Sequence, residues 1–187
     1  MSLHASLSSA RDVIEATIAA LPERVVEAAV DAIVDALAEG KPLLVCGNGG
    51  SASDALHITG ELVGRFLLER RALKAICLND NVAVLTAWSN DYDYDSVFAR
   101  QVEAYGEPGG VLLGLSTSGN SRNVMAAFDK ARAQGMVTIA LTGEGGGKLA
   151  ALSDHLLAVP SRATPLIQQV HLCLYHYMCE RIEKRLA

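Results

Sequence analysis

The amino-acid sequence predicts an open, parallel α/β sheet with helices on both faces. Three observations predict it: short continuous apolar runs recur along the chain, helical text lies between them, and two of the runs end in loops rich in glycine, serine, threonine and asparagine. An apolar run without alternation reads as a strand buried on both faces, as in a parallel sheet. Regular alternation of such strands with helices implies crossover units.

The elements follow in order. Residues 8–20 and 22–39 carry helical periodicity, with Val13, Ile14, Thr17, Ile18 and Leu21 on one apolar stripe and Val26, Val30, Ile33, Val34 and Leu37 on another. Pro22 suits the first turn of the second helix and Gly40 its stop. Residues 43–46 form the first strand, ending in Gly47-Asn48-Gly49-Gly50-Ser51, and helical text runs from Ser51 to about Phe66. The unit then repeats loosely, with a strand at 75–78 and helical text at 82–88 and 95–104. A strand at 111–115 ends in Ser116-Thr117-Ser118-Gly119-Asn120-Ser121, followed by a helix at 122–134. A strand at 137–141 precedes a glycine-rich turn and a short helix near 147–152. The last strand is 155–159, and after Pro165 a long helix runs to Lys184.

A length of 187 residues fits one domain. Half of the residues are apolar, only 5% are aromatic, and the mean hydropathy is +0.24. No apolar run approaches the ~20 residues that span a bilayer, and the longest suggestive stretch, 28–38, is interrupted by Asp31 and Asp35. No basic-then-apolar leader opens the chain, so no membrane association is expected and the cytoplasm is the expected compartment. Cys46, Cys77, Cys173 and Cys179 sit inside apolar segments and read as reduced, mostly core residues. The net charge of −5 argues against a nucleic-acid partner, which requires a basic face. It leaves small anions open, because one pocket can be electropositive on an acidic protein.

In open parallel sheets ligands bind at the carboxyl ends of the strands. The loops after 43–46 and 111–115 lie at that end, and their amides and hydroxyls beside helix N-termini suit a phosphate. Ordinary turn and N-cap chemistry explains one such loop; two together favour the anion site. Neither matches a P-loop or a dinucleotide fingerprint, and the first lacks the lysine of a nucleotide triphosphatase. His57 and Glu61 are four apart, on one face of a helix, a spacing that serves a metal pair or a plain surface pair. Gln168 and His176 are eight apart, about two turns, and share a face of the last helix; His171 lies on another side and reads as structural. Arg65 and Arg122 either add charge to an anion site or are solvated helix residues. Asp91 is either a sugar ligand or a turn residue, and Trp88 reads as core.

Ser116-Thr117-Ser118-Gly119-Asn120-Ser121 resembles the phosphosugar loop of the sugar isomerase (SIS) domain. Cys46-Gly47-Asn48-Gly49-Gly50-Ser51, followed by Asp54, His57 and Glu61, narrows the resemblance to the phosphoheptose isomerases, over nearly the whole chain. The resemblance implies a single SIS domain over 1–187: a helical oligomerisation segment over 1–40, and over 41–187 a flavodoxin-like core with a five-stranded parallel sheet and a terminal helix. It implies a homotetramer with active sites at subunit interfaces and one Zn²⁺ per site, held by His57, Glu61, Gln168 and His176. The phosphate ligands would be Ser116, Thr117, Ser118 and Ser121, with Asn48, Gly49, Gly50, Glu61, Asn90, Asp91 and Gln168 lining the rest of the sugar site.

The implied reaction converts sedoheptulose 7-phosphate, a phosphorylated seven-carbon sugar, to D-glycero-D-manno-heptose 7-phosphate, a supply of heptose for cell-surface polysaccharide. Proton transfer between C1 and C2 through an enediol needs a base, an acid and oxyanion stabilisation. Glu61 is the expected base and His176 the expected acid. One departure stands out: the family often carries an acidic residue after the ligand glutamine, whereas Gln169 follows Gln168. That change is expected to weaken metal affinity or alter the substrate. Two alternatives share the fold: a non-catalytic SIS tetramer of the kind that associates with a replication initiator, and a sugar-phosphate-sensing regulator. Retention of His57, Glu61, Gln168 and His176 together favours the enzyme over the first. The length, which leaves no room for a DNA-binding domain, disfavours the second.

Overall fold

The computed structural model describes residues 2–187; the first residue of the expected 1–40 helical segment lies outside them. Helices α1 (Leu3–Ala20) and α2 (Glu23–Ala38) precede an alternating core of β1 (Leu43–Gly47), α3 (Gly50–Val63), β2 (Ala75–Cys77), α4 (Val82–Asp91), α5 (Val97–Tyr105), β3 (Val111–Ser116), α6 (Arg122–Ala133), β4 (Val137–Thr142) and β5 (His155–Ala158). Tight 3₁₀ turns occupy Glu144–Leu152, and α7 (Thr164–Leu186) closes the chain. The five strands are all parallel, in the order β2-β1-β3-β4-β5. This is the flavodoxin-like order, whose reversal point lies between β1 and β3. The expected fold class is therefore the observed one.

Alternation along the strands divides the core. Leu43, Val45, Leu113, Leu115, Ile139 and Leu141 face α2, α3 and α7. Leu44, Cys46, Leu112 and Ala140 face α5 and α6. Both sides are sealed, so β1 and β3 are buried throughout, as the unalternating apolar runs foretold. The stripe on α2 is buried at Val26, Val30, Ile33 and Leu37, with Val34 packed against it.

Several boundaries differ from the sequence reading. α1 starts at Leu3 because the Ser2 hydroxyl accepts from the Ala5 amide (3.2 Å). Pro22 is the N-cap of α2 and not a residue of its first turn. Bonds from Gly40 to the Leu37 carbonyl and from Lys41 to the Ala36 carbonyl close that helix. α3 ends at Val63, three residues short of Phe66, because the Phe66, Leu67 and Leu68 amides turn to the Glu183 carboxylate. The helix begun at Val82 continues through Asp91, placing Asn90 and Asp91 in its last turn. The glycine-rich turn and short helix merge into one run of 3₁₀ turns kinked at Gly145, Gly146 and Gly147.

α1 is the exposed element. It packs on α7 through Val13 and Ile14, which meet Val159, Ile167 and Val170, and it buries Thr17. Leu3, Leu7 and Ile18 of the same helix face outward, Ile18 76% exposed. Beside them an apolar groove of about 190 Å³ runs between Ile14, Ile18, Leu21, Val26, Val170 and Leu174. Cys46, Cys77 and Cys179 are buried free thiols, whereas Cys173 is exposed on α7. No helix among the described residues is long and apolar enough to cross a membrane.

Candidate active site

The carboxyl ends of β1 and β3 open into a cavity of about 290 Å³ lined by Asn48, Gly49, Gly50, Ser51, Leu115, Ser116, Thr117, Ser121, Thr164 and Gln168. Three helices begin at this cavity: α3 after Gly49, α6 after Ser121 and α7 at Thr164. None of the three N-cap residues makes a side-chain cap bond, and the positive ends of three helix dipoles converge there. No lysine or arginine is among the lining residues. The seat for an anion is built from backbone and hydroxyls.

The serine loop is held in shape by its own bonds. The Ser116 and Ser121 hydroxyls are 2.9 Å apart, and the Ser118 hydroxyl accepts from the Asn120 amide (3.1 Å). Gly119, at φ +63°, lies so close to the glycine turn that a Cβ would meet the Gly146 carbonyl oxygen at 2.0 Å. Only glycine fits there. Thr117 faces Thr164 across the cavity, hydroxyl to hydroxyl at 3.4 Å. Ser118 is exposed and is not a lining residue.

Asn48 ties the two loops together. Its amide exchanges bonds with Asn123 (2.8 and 2.9 Å), and its oxygen also accepts from the Tyr94 hydroxyl (2.8 Å). Asn90 and Asp91 lie on the exposed end of α4, bonded to each other at 3.0 Å and outside the cavity lining. Tyr94, three residues beyond Asp91, brings the following loop back to Asn48. Gln168 packs its amide against Gly50, where a Cβ would stand 2.5 Å from Nε2. Gly50 is thus required for close approach.

Farther along the same two helices, α3 and α7 bring together His57, Glu61 and His176, with one ligand atom of each within 4.8 Å of the others. His57 Nε2 is 3.0 Å from Glu61 Oε1, and the His57 and His176 rings meet edge-on at 5.0 Å. Two groups absent from the expected site support the trio. The buried Tyr175 hydroxyl is 3.0 Å from His57 Nδ1 and 3.4 Å from Asp54 Oδ1. The other Asp54 oxygen is buried without a partner. Burial raises the Asp54 pKa against the lowering effect of the Tyr175 bond. Burial, with Asp54 nearby, raises that of Tyr175. Asp54 stands three before His57, and Tyr175 directly precedes His176. The i,i+3 spacing was the available signal for Asp54.

This arrangement fits a metal. Tyr175 holds the His57 ring through Nδ1 and so turns Nε2 toward Glu61 Oε1 and His176. Two imidazoles and a carboxylate whose ligand atoms converge in this way, one imidazole oriented from behind by a hydroxyl, suit a divalent cation. Gln168 lies two turns before His176, about 12 Å along the axis, on the cavity side of the trio.

The remaining candidates are structural. His171 is fully buried, its Nε2 3.1 Å from the Thr142 carbonyl, and burial lowers its pKa to about 4. Arg65 pairs with Glu69 and Arg122 with Asp95, all exposed and none lining the cavity. Trp88 stacks on Tyr92 and donates to the Ser96 hydroxyl (2.8 Å). Gln169 is exposed on α7.

Residues 7–143 match the SIS domain family. The phosphoheptose isomerase of Crocosphaera subtropica is 50% identical over 163 residues, 87% of this chain and 83% of that protein. The chain belongs to the phosphoheptose isomerase family. Among solved structures of that family, the Neisseria gonorrhoeae enzyme superposes with a TM-score of 0.91 at 38% identity, covering 97% of each chain. The Francisella tularensis enzyme gives 0.93 at 37% identity, covering 97% of this chain and 96% of the other. As a member of the phosphoheptose isomerase family, the protein is an isomerase.

Proposed function

We propose that this isomerase converts sedoheptulose 7-phosphate to D-glycero-D-manno-heptose 7-phosphate through an enediol, in the cytoplasm, and so supplies heptose for cell-surface polysaccharide. The observation that carries the reading is the placement of two half-sites along one helix pair. The anion seat lies at the start of α3, and His57 stands seven residues farther on, about 10 Å along the axis. Eight single bonds separate phosphorus from C1 in an open seven-carbon sugar 7-phosphate, and at ~1.2 Å advance per bond they also span about 10 Å. A substrate of that length reaches from the serine loop to the trio.

Ser116, Thr117, Ser118 and Ser121 hold the phosphate, whose binding energy positions the far end of the sugar. Gly49, Gly50 and Gln168 line the path, with Asn48 at its wall and Asn90 and Asp91 assigned to the sugar hydroxyls. His57, Glu61, Gln168 and His176 would hold one Zn²⁺, which, when bound, supplies Lewis-acid polarisation at the carbonyl end. Glu61 removes the C1 proton through Oε2, since Oε1 faces His57. His176 delivers a proton to the C2 oxygen, giving the enediol. Removal of the O1 proton and return of a proton to C2 complete the aldose.

Residues 1–40 serve oligomerisation within this single domain. The outward apolar face of α1 and its groove support a homotetramer with the half-exposed trio at a subunit interface. The test is incubation with sedoheptulose 7-phosphate, followed by proton NMR for the aldose, with and without chelator. Appearance of the heptose 7-phosphate that stops on chelation is expected. No turnover by metal-loaded protein overturns the substrate, and chelator-insensitive turnover overturns the metal.

A further inference from the structure

Residues 64–74 join α3 to β2 without regular structure, yet they are tightly held. The amides of Phe66, Leu67 and Leu68 donate to the Glu183 carboxylate at 2.9, 2.6 and 2.8 Å. Burial alone would raise the pKa of Glu183, but these donors and Arg70 bring it below the usual carboxylate range. Arg70 Nε lies 3.4 Å from the same carboxylate, and both side chains are 1% exposed. The guanidinium donates in the other direction, through Nη2 to the Glu61 carbonyl (2.7 Å) and through Nη1 to the Gly64 carbonyl (2.9 Å). Phe66, fixed by the first of the Glu183 bonds, stacks on His176 with centroids 5.6 Å apart and planes 30° apart.

Stability alone accounts poorly for this arrangement. A buried ion pair gains little over an apolar replacement of the same volume, because both charges are desolvated. What the pair does supply is a single loop conformation. Three consecutive amides bonded to one carboxylate tie the loop to a single buried anchor. The guanidinium satisfies carbonyls that the end of α3 leaves open and favours the helix dipole there. Glu61 lies in that last turn, and His176 lies under Phe66.

We propose that Glu183 and Arg70 are positioning residues for the reaction: they fold residues 64–71 across the end of α3, so that Phe66 holds the His176 ring and Arg70 holds the turn bearing Glu61. The kinetic consequence rests on the isomerase reading above; the structural one does not. The test compares Phe66→Leu, Phe66→Tyr, Glu183→Gln and Arg70→Lys at matched metal content. The first readout is the His176 ring-proton NMR signal, assigned with His176→Ala, which the face of Phe66 displaces. Phe66→Leu is expected to remove the displacement, Phe66→Tyr to keep it, and Glu183→Gln to move the signal toward the Phe66→Leu position. The second readout is steady-state kinetics. Phe66→Leu and Glu183→Gln are each expected to lower kcat about tenfold with KM changed less than about twofold, from a misplaced acid. Phe66→Tyr retains kcat, and the double variant Phe66→Leu/Glu183→Gln loses no more than either single one.

A His176 signal unmoved in folded Glu183→Gln overturns the proposal, as does full kcat in Phe66→Leu. Should Glu183→Gln not fold, Arg70→Lys decides: a kcat lowered at constant KM supports the proposal, and an unchanged kcat overturns it. If the unaltered protein has no turnover, the functional reading fails while the NMR comparison still decides the structural claim.

Discussion

Replacing Gly50 with alanine is expected to separate folding from function. Gly50 opens α3 without a positive φ, and alanine is favoured over glycine in helices by up to about 1 kcal/mol. The backbone therefore accepts the change. The added Cβ, however, would stand 2.5 Å from Gln168 Nε2, 2.9 Å from Oε1 and 3.0 Å from Cδ. Restoring a 3.4 Å contact requires the amide to withdraw by about 0.9 Å. That amide is the end of a side chain with freedom to rotate, so stability is expected to change by less than about 1 kcal/mol. The cost falls on the reaction. Displacement of a substrate-lining group by about 1 Å lowers kcat/KM about 10²-fold, or about 2.7 kcal/mol of transition-state stabilisation. Thermal denaturation and steady-state kinetics on the same preparations, with zinc content measured, check both halves. A Gly50→Ala protein with kcat/KM within about twofold of the parent would refute the assignment of Gln168 to the substrate path.

Other outcomes follow from the same geometry. Ser121→Ala removes a hydroxyl at the anion seat and is expected to raise KM about tenfold with kcat nearly unchanged, because a phosphate contact is made equally before and during reaction; steady-state kinetics checks it. His171 is held neutral, with its pKa lowered from 6.5 to about 4 by burial. The unfolded chain therefore binds the extra proton between those values, and stability present at pH 7 is lost as pH falls from 6.5 toward 4, by up to about 3 kcal/mol. Urea midpoints at pH 7 and pH 5 should show this loss, and His171→Gln should reduce it. Light scattering should report a tetramer, and Ile18→Glu, at an exposed apolar position, should dissociate it without unfolding the core; a monomeric parent at micromolar concentration contradicts the interface reading.

The sheet and the two loops that line the cavity were legible because their signals are local. Unalternating apolar runs mark doubly buried strands, and Ser116–Ser121 and Asn48–Ser51 announce themselves by composition. His57 and Glu61 were legible as a helix pair, but their meeting with His176 was supplied by family resemblance, since nothing local tells where α7 docks. The positions that were missed depend on long-range partners. α3 stops at Val63 because amides at 66–68 bond a carboxylate more than a hundred residues away. Asn81 fixes the start of α4, and its continuation through Asp91 accompanies the stacking of Trp88 on Tyr92 at its end, against weak helical periodicity. Tyr175 carries no local signal of its role, because only the fold brings His57 and Asp54 to its hydroxyl. The opposite outcome holds for Arg122, a plausible phosphate ligand by position, which instead pairs with Asp95 in solvent.

The central claim is that one substrate spans the anion seat and the His57–Glu61–His176 trio. The most direct measurement is a crystal structure of zinc-loaded protein with sedoheptulose 7-phosphate, read at the zinc edge. The account predicts an anomalous peak bonded to His57 Nε2, Glu61, Gln168 and His176, with the phosphate against residues 116–121 about 10 Å from His57. Zinc at another place, or a phosphate away from the serine loop, would contradict it.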